Sequence, residues 1–445
     1  MENEDLIKLL NKKTYIDAFA GCGGLSLGLL QSGWEGIFAI EKDAMAFETI
    51  SKNMMCADAP YGHFEKWPNW LPKQNYTIEN LLNDEGIRKK LKGLNGKISL
   101  ICGGPPCQGF SVGGLRNGDD PRNELAFKML ELVELVEPPL VMIENVEGIA
   151  RPFKARPGQL KESVATLVLA RLRELGYSSG FTTIKSSDYG VPQERKRVVI
   201  VGIKKQLKDI SNVKNLIENY FASVSLEQRR ELNLPLDRPV NIEEALHDLA
   251  NATEVVCPDS PKFPSTTYLP AKSTYAKLMR RGISNKSIPN SHRFSQHGPK
   301  VRSLYIAAHK TQPKGRLSKE FLLASGTKTD KKFLLDPKKP CSTLTTHPDE
   351  IIHYLYPRNV SIREMARIQS FPDDFHFYGR YTLNGERRKL DVSRCAQVGN
   401  AIPPLMARAM GMVLNKIIKF IEGDEKAYLS LSVLASENYK LFEVA

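Results

Sequence analysis

The chain has 445 residues, 41% of them hydrophobic and 25% charged, with a formal net charge of +13; this supports one large core plus a second unit and excludes disordered and fibrous classes. The acidic opening Met1-Glu2-Asn3-Glu4-Asp5 has no apolar run behind it, and no segment approaches about 20 uninterrupted apolar residues, so neither secretion nor membrane spanning is expected. The seven cysteines, at 22, 56, 102, 107, 257, 341 and 395, form no C-x-x-C pair and have no histidine cluster beside them, so no metal site is expected and free thiols in a reducing compartment are.

Thr14 to Ala20 reads as a buried parallel strand that runs into Gly21-Cys22-Gly23-Gly24-Leu25-Ser26-Leu27-Gly28, a turn opening a helix. Ser26 stands where a dinucleotide fingerprint has its third glycine, which disfavours a nicotinamide or flavin dinucleotide. A second strand, Gly36 to Ile40, ends on Glu41, whose carboxylate can accept from both hydroxyls of a ribose. The pair of features asks for an adenosine-like ligand without a pyrophosphate. Further along, the spacing predicts a helix around Asp43 to Asn53, then an irregular excursion from Cys56 to Tyr76 read as a cover over the cofactor, then a helix from Glu79 to Leu91.

The strand Lys97 to Cys102 delivers Gly103-Gly104-Pro105-Pro106-Cys107-Gln108-Gly109-Phe110-Ser111. A cysteine after a strand is more often a small core residue than a catalyst. The flanking prolines and glycines, which stiffen the loop and let another molecule approach the main chain, make Cys107 the candidate nucleophile. The glycine-bearing run from Gly109 to Arg122 reads as a lid. A buried strand, Leu140 to Ile143, then ends on Glu144-Asn145-Val146, placing a candidate acid in the same crevice. A helix from Leu160 to Leu175 and a strand near Gly180 to Ser186 follow. Arg195 and Arg197 come next, two apart in extended chain and so able to converge on one group, ahead of the strand Val198 to Gly202.

Strand and helix stop alternating after about Ile203. Residues 210 to 345 are read as a second domain, helical over Asn212 to Glu231 and then proline-punctuated. Within it, Ser260 to Lys319 carries thirteen lysines and arginines and no acid. That local surplus suits a phosphate backbone, with Tyr268, Tyr275, Phe294 and Tyr305 interleaved for contact or for core packing. Ser361 and Glu364 make a capping box for a helix ending before Phe371-Pro372, and Val398 to Pro404 opens an amphipathic helix to about Phe420. Internal repeats and low-complexity segments are absent.

The order of these motifs resembles the cytosine-C5 DNA methyltransferases over nearly the whole chain. Asp17-x-Phe19-x-Gly21-x-Gly23-Gly24 is similar to the family's S-adenosylmethionine loop and Glu41 to its ribose-binding acid. Pro105-Pro106-Cys107-Gln108 resembles the nucleophile motif, Glu144-Asn145-Val146 the acid motif and Gln193-x-Arg195-x-Arg197 the basic motif. Arg358 to Phe375 resembles the helix supporting the recognition domain, and Gly399-Asn400-x-x-Pro403-Pro404 the closing motif. Where the family has an aspartate for the adenine amino group, this chain has Tyr76-Thr77-Ile78.

The resemblance implies an α/β fold, a Rossmann-like methyltransferase sheet with helices on both faces plus a smaller irregular target-recognition domain. It divides the chain into a catalytic domain at 1–209, a recognition domain at 210–345, a hinge and C-terminal helix at 346–421 and a tail at 422–445. It implies S-adenosylmethionine as cofactor, held by Asp17, Phe19, Gly21, Gly23, Gly24, Leu25, Ser26, Glu41, Pro106 and Asn400, with S-adenosylhomocysteine as product and no metal. Cys107 would add to carbon 6 of a flipped-out cytosine, with Glu144 at ring nitrogen 3 and Arg197 and Arg195 holding the base. Gln108, Ser111, Arg280, Arg281, Arg293, Lys300 and Arg302 would contact double-stranded DNA. The expected protein is a monomeric, cytoplasmic, nucleoid-associated enzyme of prokaryotic restriction-modification type, with any cognate endonuclease acting separately. Two rival readings stay open, an RNA (tRNA) cytosine-C5 methyltransferase and a catalytically silent DNA-binding regulator on the same fold, while a third, a dinucleotide oxidoreductase, is disfavoured by Ser26.

Overall fold

The computed structural model of the chain describes residues 2–106, 124–152, 162–327, 331–382 and 391–424. Cys107, Gln108 and Ser111, the lid expected from Gly109 to Arg122, and the tail beyond residue 424 lie outside the described residues.

After helix α1 (Asn3–Asn11), the first half alternates β1 (Thr14–Asp17), α2 (Gly24–Gln31), β2 (Glu35–Ala39), α3 (Ala44–Met54), α4 (Ile78–Asn83), α5 (Glu85–Lys92), β3 (Leu100–Gly103), α6 (Leu125–Val136), β4 (Leu140–Val146), α7 (Val164–Glu174) and β5 (Tyr177–Lys185). The short β6 (Gln193–Glu194) and long β7 (Lys196–Lys204) lead to α8 (Val213–Glu231). Six strands form one sheet in the order β2-β1-β3-β4-β7-β5, parallel except for β7, which is antiparallel to both β4 and β5. The interior strands β1 and β3 are wholly buried and β4 is buried through Asn145, because helices cover the sheet on both sides. From β1 the chain turns to β2 on one side and later to β3 on the other. The carboxyl ends of β1 and β3 therefore flank a switch point, where a crevice opens in such sheets.

Several boundaries differ from the sequence reading, each for a local reason. The helix expected over Glu79 to Leu91 is two helices, because Asp84 is extended and its carboxylate accepts from the Ile87 N–H at 2.9 Å, capping α5 instead of continuing α4. The excursion from Cys56 to Tyr76 is not merely a cover: Phe64 and Trp67 are buried against Tyr15 and Phe38, as part of the core. Strand β4 runs on through Glu144 to Val146, because Arg197 at the start of β7 pairs with Val146.

The C-terminal segment returns to the first half. Helices α14 (Arg394–Asn400) and α15 (Pro404–Ile421) follow α13 (Ile362–Ile368), and α15 packs on α2 and α8. A β-carbon on Gly28 would lie 2.4 Å from the Ala407 side chain, so glycine there permits the docking. Trp34 Nε1 donates to the Gly411 carbonyl at 3.3 Å, and Asn415 Nδ2 to the Ser32 carbonyl at 2.9 Å. Helix α8 packs against β5 and α15, so the sheet's helical cover extends beyond residue 209.

Between α8 and α13 the chain forms the helices α9 (Ile242–Leu246), α10 (Thr274–Met279), α11 (Pro299–Thr311) and α12 (Lys319–Ala324) and two- and three-residue strands, with a separate small core of Leu304, Tyr305, Ala308, Leu317, Leu322, Leu334 and Ile352. No helix among the described residues is long and apolar enough to cross a membrane.

Candidate active site

The turn after β1 is shaped from within. Asp17 is wholly buried and accepts from the Ser26 hydroxyl at 2.8 Å and the Phe19 N–H at 3.4 Å. Burial, with Glu41 adding a smaller repulsion, pushes its carboxyl up to about 7. Gly21 and Gly23 have φ of +54° and +96°, which a side chain rarely adopts. Gly24 serves packing: a β-carbon there would sit 2.2 Å from the Ile402 carbonyl oxygen. Leu25 is buried, and Phe19 half-buried.

Glu41, after β2, is half-buried and turned toward this loop. Its Oε2 accepts from the Gly21 N–H at 2.9 Å and its Oε1 from the Asp43 N–H at 2.7 Å. Burial raises its pKa against the pull of those two donors. Each oxygen can still accept a second hydrogen bond.

At the other wall of the crevice, Gly104, Pro105 and Pro106 leave β3. Asn145 Nδ2 donates to the Pro105 carbonyl at 3.1 Å, which ties the loop approaching Cys107 to the end of β4. A β-carbon on Gly104 would come within 3.0 Å of Glu144 Oε2, so glycine lets the loop lie against that carboxylate. Glu144 pairs in register with Val199 and Arg197 with Val146, which makes Glu144 and Arg197 diagonal neighbours on one face of the sheet. Both are nearly buried, and Arg197 Nε lies 2.9 Å from Glu144 Oε1. The contact is an ion pair, and Oε1 has no hydrogen bond among the described residues.

Arg195 and Arg197 do not converge on one group. Arg195 gives its terminal nitrogens to the carbonyls of Gly399 at 3.1 Å, Leu344 at 3.5 Å and Asn400 at 3.5 Å, while its Nε is buried without a partner among the described residues. Burial and the neighbouring Arg197 both weigh against its charge, and Glu144 supports it. Asn400 is exposed at the end of α14.

The sequence reading missed a buried amide relay. Gln193 Nε2 donates to Gln369 Oε1 at 2.7 Å, and Gln369 Nε2 donates to the Val398 carbonyl at 2.7 Å. It joins the basic motif, the end of α13 and the closing motif; only the Gln193-x-Arg195-x-Arg197 spacing hinted at it.

The basic stretch divides. Tyr268, Tyr275, Phe294 and Tyr305 are all buried, so they are core residues. Arg280 is buried too, 3.1 Å from Asp248 and lying over the Tyr268 ring, and Arg293 is half-buried between the rings of Phe263 and Tyr381. The expectation that Arg280 faces DNA is corrected, because its buried guanidinium is spent on Asp248 and the Leu269 carbonyl, whereas Arg293 keeps part of its surface exposed. Arg281, Lys300 and Arg302 are exposed, with Lys300 Nζ donating to the Gly326 carbonyl at 3.0 Å.

A family profile described as C-5 cytosine-specific DNA methylase matches residues 13–416. Among similar proteins, Type II methyltransferase M.DdeI of Desulfomicrobium norvegicum is 29% identical over 89% of this chain and 86% of its own length. Type II methyltransferase M.AgeI of Thalassovita gelatinovora is 27% identical over 91% of this chain and 99% of its own. A crystal structure described as a DNA modification methyltransferase encoded within a prophage (E. coli) superposes with a TM-score of 0.59 at 25% identity, covering 91% of this chain and 99% of the other.

Proposed function

The chain belongs to the C-5 cytosine-specific DNA methylases, and from that premise we propose how its residues methylate carbon 5 of cytosine in a specific duplex sequence. The relatives named as Type II methyltransferases support a role in protecting host DNA within a restriction-modification system.

The observation that carries the mechanism is the nearly buried Glu144–Arg197 pair beside Gly104, with Glu144 Oε1 lacking a hydrogen bond among the described residues. Carbon 5 of cytosine is too electron-poor to attack a methyl donor. In the proposed sequence the Cys107 thiolate adds to carbon 6, the negative charge moves to ring nitrogen 3, and Glu144 supplies a proton or hydrogen bond there. Arg197 fixes the Glu144 carboxylate and adds positive potential. Carbon 5 gains the methyl group; water then takes the carbon 5 proton as the sulfur–carbon 6 bond breaks and expels the Cys107 thiolate, and nitrogen 3 returns its proton to Glu144. A base stacked in a duplex keeps its carbon 6 out of reach of an enzyme thiol, so the cytosine is flipped out. Arg195 is a positioning residue that fastens the closing motif beneath the site.

S-adenosylmethionine, when bound, supplies an electrophilic methyl group. The chain fits it: a β-carbon at Gly21 would meet nothing within 4 Å, which leaves open space beside the loop, and Glu41 has acceptor capacity remaining for two ribose hydroxyls. Gly21, Gly23, Phe19 and Glu41 would line it, with Asp17 and Ser26 holding the turn in shape from behind. The residues between α8 and α13 form the proposed recognition domain.

Methyl incorporation into duplex DNA and into transfer RNA, followed by bisulfite sequencing, tests the reading. Modification of one cytosine in a fixed duplex sequence is expected; transfer to RNA alone would overturn it.

A further inference from the structure

We propose that a cleft between Trp70 and the C-terminal end of α5 is a second ligand site, and that it takes a nucleotide: an aromatic base carrying phosphate. The cleft has a volume of about 410 Å³ and is lined by Trp70, Lys89, Lys90, Gly93, Leu94 and Lys97.

Its floor is apolar. Trp70 is half-buried and packs edge-on against Phe38 of β2, ring centroids 6.3 Å apart, beside half-buried Leu94. The indole N–H of Trp34 is bonded to Gly411 and that of Trp67 to Leu71, whereas Trp70 has no hydrogen bond within the described residues. Its rim is cationic. Lys89, Lys90 and Lys97 are exposed, and none makes an ion pair with a described carboxylate.

The negative end of α5 by itself draws lysines to its last turn. That accounts for neither the indole wall nor Lys97, which comes from the turn into β3. A phosphate alone would need no aromatic surface, and an apolar ligand would need no lysines. A flat ring bordered by cations from two chain segments suits a stacked base with its phosphates outward.

The position separates this cleft from catalysis. Lys97 precedes β3 and Pro106 follows it, so the cleft lies toward the amino ends of the strands, away from the crevice assigned to cytosine. The nucleotide could arrive free or as part of a single strand or end of nucleic acid; the chemistry is the same.

The test uses the full chain saturated with S-adenosylhomocysteine, so that the adenosine site at Glu41 does not compete. Tryptophan emission is followed during titration with ATP, an oligothymidylate and tripolyphosphate. Trp34 and Trp67 are only 1% and 7% exposed, so Trp70 dominates the response. A saturable change with ATP or the oligonucleotide is expected, absent in Trp70→Phe and roughly tenfold weaker in apparent affinity when Lys89, Lys90 and Lys97 are all changed to Gln. The stronger of the two ligands identifies the source. The proposal is overturned by no saturable change with either ligand, by a change that persists in Trp70→Phe, or by tripolyphosphate binding as tightly as ATP. Methyl transfer to duplex DNA is measured in parallel, and its failure would count against the catalytic reading alone.

Discussion

Two regions of this protein bury arginines against carboxylates and finish the arrangement differently. Around α13, Arg367 is wholly buried and directs Nε to Asp373 at 2.7 Å, both terminal nitrogens to Asp248 at 3.0 Å, and one of them also to the Ala245 carbonyl at 2.9 Å. Arg358 makes a two-pronged contact with Glu364, whose Oε2 also accepts from the Ser361 N–H. In the crevice, by contrast, Glu144 Oε1 and Arg195 Nε have no hydrogen-bond partner among the described residues. Around α13 the neutral His353 keeps one buried nitrogen, Nε2, without a hydrogen bond, 3.4 Å from Glu364, but every arginine and carboxylate there is hydrogen-bonded. A network whose charges close on one another holds the structure together, and one whose charged groups are left open is shaped for something that arrives. By that criterion the first region is a joint and the second is the site.

The largest expected effect lies at the site. Cys107→Ser should lower turnover by roughly 10⁴-fold or more while duplex binding remains, as measured by methyl incorporation and by DNA retention. Next, Arg367→Ala should cost about 3–5 kcal/mol in urea unfolding, because it strands Asp248 and Asp373 without a counter-charge. Glu144→Gln should move the urea midpoint far less and instead lower kcat by about 10²–10³-fold. If Glu144→Gln unfolds like Arg367→Ala and keeps its rate per folded molecule, the distinction between joint and site fails.

Acidity sharpens the same contrast with opposite slopes. Asp17 binds its proton more tightly folded, at about 7, than unfolded, near 3.8. Its contribution is therefore complete below the unfolded value and is lost as pH rises through about 7. Asp17→Asn should flatten that decline, worth up to roughly 4 kcal/mol. In the joint, His353 accepts from the Leu355 and Tyr356 N–H groups on Nδ1, and burial depresses its pKa to about 3 from 6.5. Its contribution is complete above about 6.5 and is lost as pH falls toward 3, so His353→Gln should flatten an acid-side loss. Thermal midpoints across pH check both slopes.

The smallest effects belong to the exposed cations. Arg281→Gln and Arg302→Gln should each weaken DNA binding less than about tenfold and reduce the salt slope by about one, whereas Arg280→Gln should destabilise the fold through Asp248. A loss of DNA affinity in Arg280→Gln without loss of stability would reverse the assignment.

What the sequence made legible was local. Apolar runs bounded by glycine announced β1 to β4, and Ser361 with Glu364 announced a helix start that the structure forms as a reciprocal cap. Glu41, Glu144 and Arg197 stood at strand ends, where a sheet exposes its chemistry. Contacts between distant segments were not legible. Nothing in Arg280 or Arg293 tells that Asp248 or the Tyr381 ring will neutralise or cover it, and nothing in Gln369 announces Gln193, 176 positions away. Tertiary packing also turned the aromatic residues of the basic stretch inward, Tyr268 and Tyr275 into the main core and Tyr305 into the small one.

The central claim is that the open atoms of the crevice await a cytosine to which Cys107 bonds. Duplex DNA carrying 5-fluorocytosine at the modified position, incubated with the protein and S-adenosylmethionine and digested for mass spectrometry, tests it directly. The account predicts a denaturation-resistant adduct on the peptide containing residue 107, absent in Cys107→Ser. Folded, cofactor-loaded protein that methylates ordinary DNA yet forms no such adduct would contradict it.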